Sequence, residues 1–139
     1  MQTFLPLPSF NASIRCLDNK RLGKQRVEAL QILRALYGEY KKTGAWENHP
    51  ATKMWRGYEK ALIFYKDSCI EEWIRRGFNN TMEFTKEHSF SYPWWLGDVN
   101  FHASHRSNLL RKNPEHYSQF GWTDTPDLPY VWPAGKGKF

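Results

Sequence analysis

A single long amphipathic helix is the feature that most constrains how this chain can fold. Apolar side chains recur there at steps of three and four residues, at Leu22, Ala29, Leu30, Leu33, Leu36 and Tyr37. Asp18 or Asn19 can cap the start of the helix by accepting the free N–H groups of its first turn. A cationic last turn followed by Gly44 is typical of a helix end. The pattern predicts a helix from Asp18 to Lys41 with one face in a core.

The opposite face of this helix places cations and amides around one carboxylate. On a helical wheel of about 100° per residue, Arg21, Lys24, Gln25 and Gln31 fall within roughly 60° of Glu28. Such neighbours keep a carboxylate ionised and leave it able to move a proton. The alternative is a solvated face on which Lys24 and Glu28 form a surface ion pair, which contributes only a few tenths of a kcal/mol.

Two further helices are predicted downstream. The first runs from Ala51 to Arg76, where aromatic and apolar side chains keep helical spacing and Gly77 marks the exit. The second runs from Asp98 to Lys112, with Asp98 as its cap and Pro114 beyond its end. We expect the aromatic stripe of the first to pack against the helix that carries Glu28.

The remaining segments are expected to be irregular but packed. Pro6 and Pro8 predict an extended N-terminal arm over residues 1–10, with a short helical turn over residues 9–16. The run 93–96 (Pro-Trp-Trp-Leu) should pack against the helical core. Aromatic residues make up 17% of the chain, which argues for a packed C-terminal tail. The predicted fold is all-α, a compact single domain over residues 1–139 with three main helices and long aromatic-rich loops.

Charge and composition indicate the class of partner. A net charge of +6 and a pI near 9.4 favour a polyanion, nucleic acid before membrane. The sequence has no apolar run long enough for a membrane span and no signal-peptide pattern. Cys16 and Cys69 are expected to be reduced thiols on helices. We therefore expect a monomeric, cytoplasmic, nucleoid-associated protein.

The C-terminal third supplies candidate contacts to DNA. His105, Arg106, Arg111 and Lys112 lie on the third predicted helix and can bind phosphates. Beyond them, three aromatic residues could stack on bases or enter an opened duplex, namely Tyr117, Phe120 and Trp122. A solvated basic face and ordinary core packing are the alternatives for the two sets.

Histidines raise a third possibility, a metal-dependent nuclease. His102 and His105 lie one helical turn apart among five histidines. No HExxH motif, CxxC pair or tight carboxylate cluster accompanies them, so a metal site is the weaker hypothesis. The sequence also lacks a glycine-rich phosphate loop and a nucleophile elbow.

Several stretches together resemble the pyrimidine-dimer DNA glycosylase family of endonuclease-V type. They are residues 70–79 (IEEWIRRGFN), His49, residues 58–60 (YEK) and the spacing of Leu22 and Glu28. The similarity extends over nearly the whole chain and is firmest over residues 17–36 and 49–80.

This resemblance implies an all-helical enzyme that needs no metal or cofactor. Its substrate would be double-stranded DNA with a damaged or modified pyrimidine. The family's α-amino group attacks C1′ of the sugar and expels the base, and β-elimination from the resulting imine cuts the strand. The glutamate that assists corresponds to Glu28. A non-catalytic DNA-binding protein of the same fold is the alternative.

Position 2 identifies the expected nucleophile. The large side chain of Gln2 should block removal of the initiator methionine, so the amine would be that of Met1. Lys24 or Lys20 is the rival nucleophile. Arg21 stands where the family has a histidine and Gln25 where it has a glutamate, so the base recognised can differ. The predicted site is Met1 and Glu28 for catalysis, with DNA contacts from Arg21, Lys24, Gln25, His105, Arg106, Arg111, Lys112, Tyr117 and Trp122.

Overall fold

The protein is helical throughout the part that the structure describes. The computed structural model describes residues 1–39, 44, 46–87 and 89–135. These residues contain no strand and form α1 (Phe10–Cys16), α2 (Asn19–Leu36), α3 (Pro50–Trp55), α4 (Glu59–Arg75), α5 (Val99–Lys112), α6 (Pro114–Tyr117) and a 3₁₀ turn (Ser118–Phe120). The predicted all-α class is confirmed, with six α-helices among the described residues in place of three main ones.

Helix α2 ends earlier than predicted. Gly38 adopts a left-handed backbone with φ of 79°. The N–H groups of Gly38 and Glu39 bond the carbonyls of Ala35 (3.1 Å) and Arg34 (2.9 Å), which closes the helix in a Schellman arrangement. The end predicted at Lys41 was therefore wrong, because Gly38 stops the helix before Gly44 is reached. Residues 40–43 themselves lie outside the described part.

The helix predicted over Ala51–Arg76 is two helices. Gly57 has a φ of 88°, a left-handed conformation that an α-helix does not contain. Helix α3 therefore ends at Trp55 and α4 begins at Glu59. The Nδ1 atom of His49 accepts the Ala51 N–H (3.0 Å) and so caps α3.

The core lies between α2 and α4 and is rich in aromatic rings. Trp55 and Trp95 meet edge to face with centroids 5.0 Å apart, and the Trp95 indole N–H donates to the Met54 carbonyl (3.0 Å). Trp95 is fully buried whereas Trp94 is half exposed, so only one tryptophan of the predicted 93–96 segment enters the core. Cys16 and Cys69 are free and buried on α1 and α4.

The N-terminal arm, predicted over residues 1–10, has no helix or strand up to residue 9, and α1 begins at Phe10. It runs through the interior of the molecule, and Gln2, Thr3, Phe4 and Leu5 are all buried. Within the described part of the chain, no helix combines the length and apolar character needed to span a membrane. The arm brings the amino end of the chain to α2, where the candidate site lies.

Candidate active site and DNA-contact surface

Gln25 binds the N-terminal arm from inside the protein. Its Oε1 atom accepts the Phe4 N–H (2.8 Å), and its Nε2 atom donates to the Gln2 carbonyl (2.8 Å). The Tyr65 hydroxyl lies 2.7 Å from Gln25 Oε1 and 2.9 Å from the Phe4 carbonyl oxygen. The Gln25 side chain is fully buried. Its predicted contact with DNA is therefore replaced by a bond to the arm, which covers this part of the helix face.

Two histidines of α5 hold the next residue of the arm. His105 Nδ1 accepts the Leu5 N–H (2.9 Å), and His102 Nδ1 lies 2.7 Å from the Leu5 carbonyl oxygen. His102 Nε2 accepts the Gly97 N–H (2.8 Å), so in the neutral ring the proton is on Nδ1 and is donated to Leu5. Both rings are therefore engaged in binding the arm.

His105 is neutral in the folded protein. Burial first, and then the nearby His102, lowers the pKa of His105 to about 3. A buried, uncharged ring cannot bind a phosphate, so the predicted phosphate contact of His105 was wrong. The same use of both rings argues against the shared metal site considered for His102 and His105. Among the described residues, no three His, Cys, Asp or Glu side chains are grouped so as to hold a metal ion.

Arg106 is also committed to internal bonds. Its guanidinium forms an ion pair with Asp124 (Nε to Oδ2, 2.7 Å) and donates to the Pro6 carbonyl (2.9 Å). Asp124 neutralises the charge that was expected to attract phosphate. Arg106 therefore fixes the arm and the tail to α5 in place of its predicted role at the DNA surface.

Glu28 lies at the amino end of the arm. Its Oε2 atom accepts hydrogen bonds from the Gln2 N–H (3.4 Å) and from Gln25 Nε2 (3.0 Å). Bond lengths limit the separation of consecutive backbone nitrogens, so the Met1 amine lies within about 7 Å of this carboxylate oxygen. Met1 is half-buried. The structure thus brings together the two residues predicted to be catalytic.

An open depression adjoins the Glu28 carboxylate. It has a volume of about 470 Å³ and is lined by Lys20, Gly23, Lys24, Val27, Glu28 and Gln31. Its cations, Lys20 and Lys24, lie on α2, and charges of α5 act on the same region. The pKa of Lys112 is lowered, mainly by burial and further by the positive charges of Arg21, Arg111 and Lys24. The negative charge of Glu28 raises the pKa of Lys112. Four of the predicted DNA contacts therefore share one electrostatic neighbourhood with Glu28.

Two of the three predicted aromatic contacts, Tyr117 and Trp122, are a core residue and a half-buried residue respectively. Tyr117 is fully buried, and its hydroxyl donates to Asp18 Oδ1 (2.5 Å) and accepts the Asp18 N–H (3.1 Å). Burial first, and then Asp18, raise the pKa of Tyr117. Trp122 is half-buried and stacks on Tyr117 with centroids 5.8 Å apart. Tyr117 therefore supports the start of α2 and, contrary to expectation, is out of reach of DNA.

His49 lies close enough to the amino terminus to respond to its charge, and two aromatic rings of the tail continue from His49. Burial, and then the charge of the amino terminus, lower the pKa of His49. The Trp132 ring meets the His49 ring edge to face at 6.0 Å and lies 5.3 Å from the Tyr130 ring. Burial is the main cause that raises the pKa of Tyr130 to about 12. The sequence signals for this group were the resemblance at His49 and, for Tyr130 and Trp132, the aromatic richness of the tail.

Comparison with known proteins identifies the family of the chain. The family model described as pyrimidine dimer DNA glycosylase matches residues 1–86, which is more than half of the 139 residues. The matched region contains the arm, Glu28 with all of α2, and α4. No curated protein and no solved structure matches the chain significantly. The chain belongs to the pyrimidine dimer DNA glycosylase family.

Proposed function

We propose that the protein excises a damaged or modified pyrimidine from double-stranded DNA and then cuts the strand at the abasic site. The observation that carries this proposal is the 3.4 Å hydrogen bond from the Gln2 N–H to Glu28 Oε2. It brings the amino end of the chain beside one carboxylate, at the edge of an open cationic surface. Family membership supplies the class of substrate.

The Met1 α-amine acts as the nucleophile. An α-amine has a reference pKa of about 7.7–8.0, so an appreciable fraction is unprotonated near neutral pH. Its nitrogen forms a bond to C1′ of the sugar while the bond from C1′ to the base breaks. The base leaves with the bonding electrons and takes up a proton. The nitrogen gives up a proton, and its lone pair then forms the C1′=N bond while the C1′–O4′ bond breaks and O4′ takes up a proton. The product is a ring-opened, cationic iminium between Met1 and C1′.

The Glu28 carboxylate acts on this intermediate. Its negative charge stabilises the cationic iminium, and it accepts the proton that is removed from C2′. The bond from C3′ to its oxygen then breaks, and the phosphate leaves with the electron pair. Water hydrolyses the imine and restores the free amine. None of these steps requires a metal or a redox cofactor.

The surface around the depression holds the DNA. Arg21, Lys24, Arg111 and Lys112 supply phosphate contacts that position the duplex without reading its sequence. Arg111 is exposed, although its guanidinium also donates to the Pro126 carbonyl (3.2 Å) and to Asn108 Oδ1. The half-buried Trp122 contributes an aromatic surface for stacking.

Borohydride trapping with abasic duplex DNA tests the proposal, because only an imine is reduced to a covalent protein–DNA adduct. Glu28→Gln should bind DNA normally but lose strand cleavage by several orders of magnitude. The amide oxygen of the new side chain can still accept from Gln2 and Gln25, so the arm is retained. Glu39→Gln is the matched control, since Glu39 is exposed beyond the end of α2 and pairs with Arg34. Undiminished cleavage by Glu28→Gln would refute the assignment.

The identity of the nucleophile is tested separately. Acetylation of the Met1 amine should abolish trapping without unfolding the protein, because an amide nitrogen is not nucleophilic. Mass spectrometry of the reduced adduct should find the sugar on the N-terminal peptide. An adduct on Lys24 or Lys20 would show that a lysine is the nucleophile. Trapping that persists in EDTA excludes the metal-dependent alternative, and an absence of trapping with intact binding favours a non-catalytic DNA-binding protein.

A further inference from the structure

Gln25 is bonded to both halves of the proposed active site. Its Nε2 atom donates one hydrogen to the Gln2 carbonyl (2.8 Å) and the other to Glu28 Oε2 (3.0 Å). Its Oε1 atom accepts the Phe4 N–H (2.8 Å) and lies 2.7 Å from the Tyr65 hydroxyl. The side chain is fully buried. A single amide thus connects the backbone next to Met1 with the carboxylate.

The partners of Gln25 permit only one orientation of its amide. A flipped amide would direct its NH₂ group at the Phe4 N–H and its oxygen at both the Gln2 carbonyl and the Glu28 carboxylate. Burial would leave those repelling groups without partners, which disfavours the flipped orientation. The Nε2 atom is therefore held facing Glu28.

We propose that Gln25 is a positioning residue, which fixes the Met1 amine and the Glu28 carboxylate in one geometry and orients the carboxylate. This inference rests on the function proposed above for Met1 and Glu28. It assigns Gln25 a role in the reaction that involves no contact with DNA. Reaction rates are sensitive to such geometry, since a misplacement of about 1 Å can cost about 100-fold.

Two substitutions separate the parts of this role. Gln25→Leu removes all the hydrogen bonds at nearly the same volume and should release the arm next to Glu28. Gln25→Glu keeps oxygens that can accept from Phe4 and Tyr65 but replaces the donor to Glu28 with a second negative charge. Two carboxylates at that distance cannot both ionise easily, so one of them holds a proton to higher pH.

The groups whose charges reach Glu28 come from each element around it. Arg21 and Lys24 lie on α2 itself, and Lys112 lies on α5. Tyr65 of α4 and Tyr130 of the tail are neutral at neutral pH, because burial, with Glu28 as a lesser cause, raises the pKa of both. The Met1 amine of the arm, within about 7 Å of Glu28, is a further charged group that an added carboxylate reaches. All these groups are present in both Gln25 variants, so a shift of the pH–rate profile in Gln25→Glu reports the charge added at position 25.

The experiment measures single-turnover borohydride trapping on abasic duplex DNA from pH 5 to 9, together with amide hydrogen exchange of Phe4. Gln25→Leu should trap about 100-fold more slowly and should lose protection at Phe4. Gln25→Glu should move the acidic limb of the pH–rate profile upward by about one unit or more. Binding to a duplex with a non-reactive abasic analogue should stay within about twofold for both variants.

Ser13→Ala is the matched structural control. Ser13 holds the other end of the arm through hydrogen bonds with the Leu7 N–H (2.9 Å) and carbonyl (2.8 Å). Its loss should lower stability but leave the pH–rate profile unchanged. If Gln25→Leu does not fold, Gln25→Glu carries the test.

The outcomes distinguish this inference from the proposed function. A wild-type pH–rate profile in Gln25→Glu, or unaltered Phe4 protection in Gln25→Leu, would overturn the positioning role. Absence of trapping by the wild-type protein would refute the proposed chemistry, and Phe4 exchange would then decide whether Gln25 holds the arm. Loss of protection in Gln25→Leu, but not in Ser13→Ala, supports that hold independently of activity.

Discussion

Lowering the pH from 8 to 5 is expected to destabilise the protein through His105. The pKa of His105 is lowered from 6.5 to about 3, chiefly by burial. The unfolded chain therefore takes up a proton at His105 over a pH range in which the folded protein does not. The stability from this difference is fully present above the unfolded pKa and is lost as the pH falls towards the folded one. For one such group the loss at pH 5 is about 2 kcal/mol.

The assay is thermal or urea unfolding of the wild type and of His105→Asn at pH 8 and pH 5. Asparagine Oδ1 can accept the Leu5 N–H in place of Nδ1, and it does not titrate. The wild type should lose about 6–10 °C in melting temperature from this source. The variant should start less stable at pH 8, because a small void remains, yet lose about 2 kcal/mol less between the two pH values.

The carboxylates and His102 titrate in both proteins, so their contribution cancels in this comparison. Equal losses of stability between pH 8 and pH 5 would refute the assignment of His105 as a buried neutral acceptor. A smaller loss of stability between pH 8 and pH 5 in His105→Asn would identify the contact between His105 and Leu5 as the acid-sensitive attachment of the arm.

Arg111→Ala and Lys112→Ala should each flatten the plot of log K against log salt by about one unit for every phosphate that the variant no longer binds. Arg106→Ala should leave this slope unchanged, because the charge of Arg106 is paired with Asp124. Fluorescence titration of a labelled duplex measures the slope for all three variants. A flatter slope for Arg106→Ala alone would place the DNA on the other side of α5. Tyr117→Phe should lower the free energy of unfolding by about 1–3 kcal/mol in urea, because the Asp18 N–H and carboxylate lose a buried partner. The exposed Tyr92 provides its control as Tyr92→Phe, and equal costs for the two variants would mean that the bonds to Asp18 contribute nothing.

Local signals in the sequence were sufficient for the starts of α2 and α5 and for the position of Glu28 on α2. The apolar stripe and the Asp18 cap predicted the start of α2, and the Asp98 cap predicted the start of α5. In the structure the Asp18 carboxylate accepts the Arg21 N–H, and the Asp98 carboxylate accepts the Phe101 N–H. Such signals act within a few residues, so they can be read without knowledge of the fold. The errors at Gly38 and Gly57 arose because a glycine inside a periodic pattern is compatible with either a continued or an ended helix.

The functions of individual polar side chains depended on tertiary contacts. A helical wheel gives the direction in which Gln25 points but does not say that the N-terminal arm covers it. The bonds that changed the assignment of Gln25, His105 and Tyr117 join residues 21, 100 and 99 positions apart. The sequence by itself determined the all-helical class, the starts of α2 and α5, the excess of positive charge and the carboxylate on α2. Only the folded chain decided which polar groups face solvent, because burial depends on neighbours that are distant in sequence.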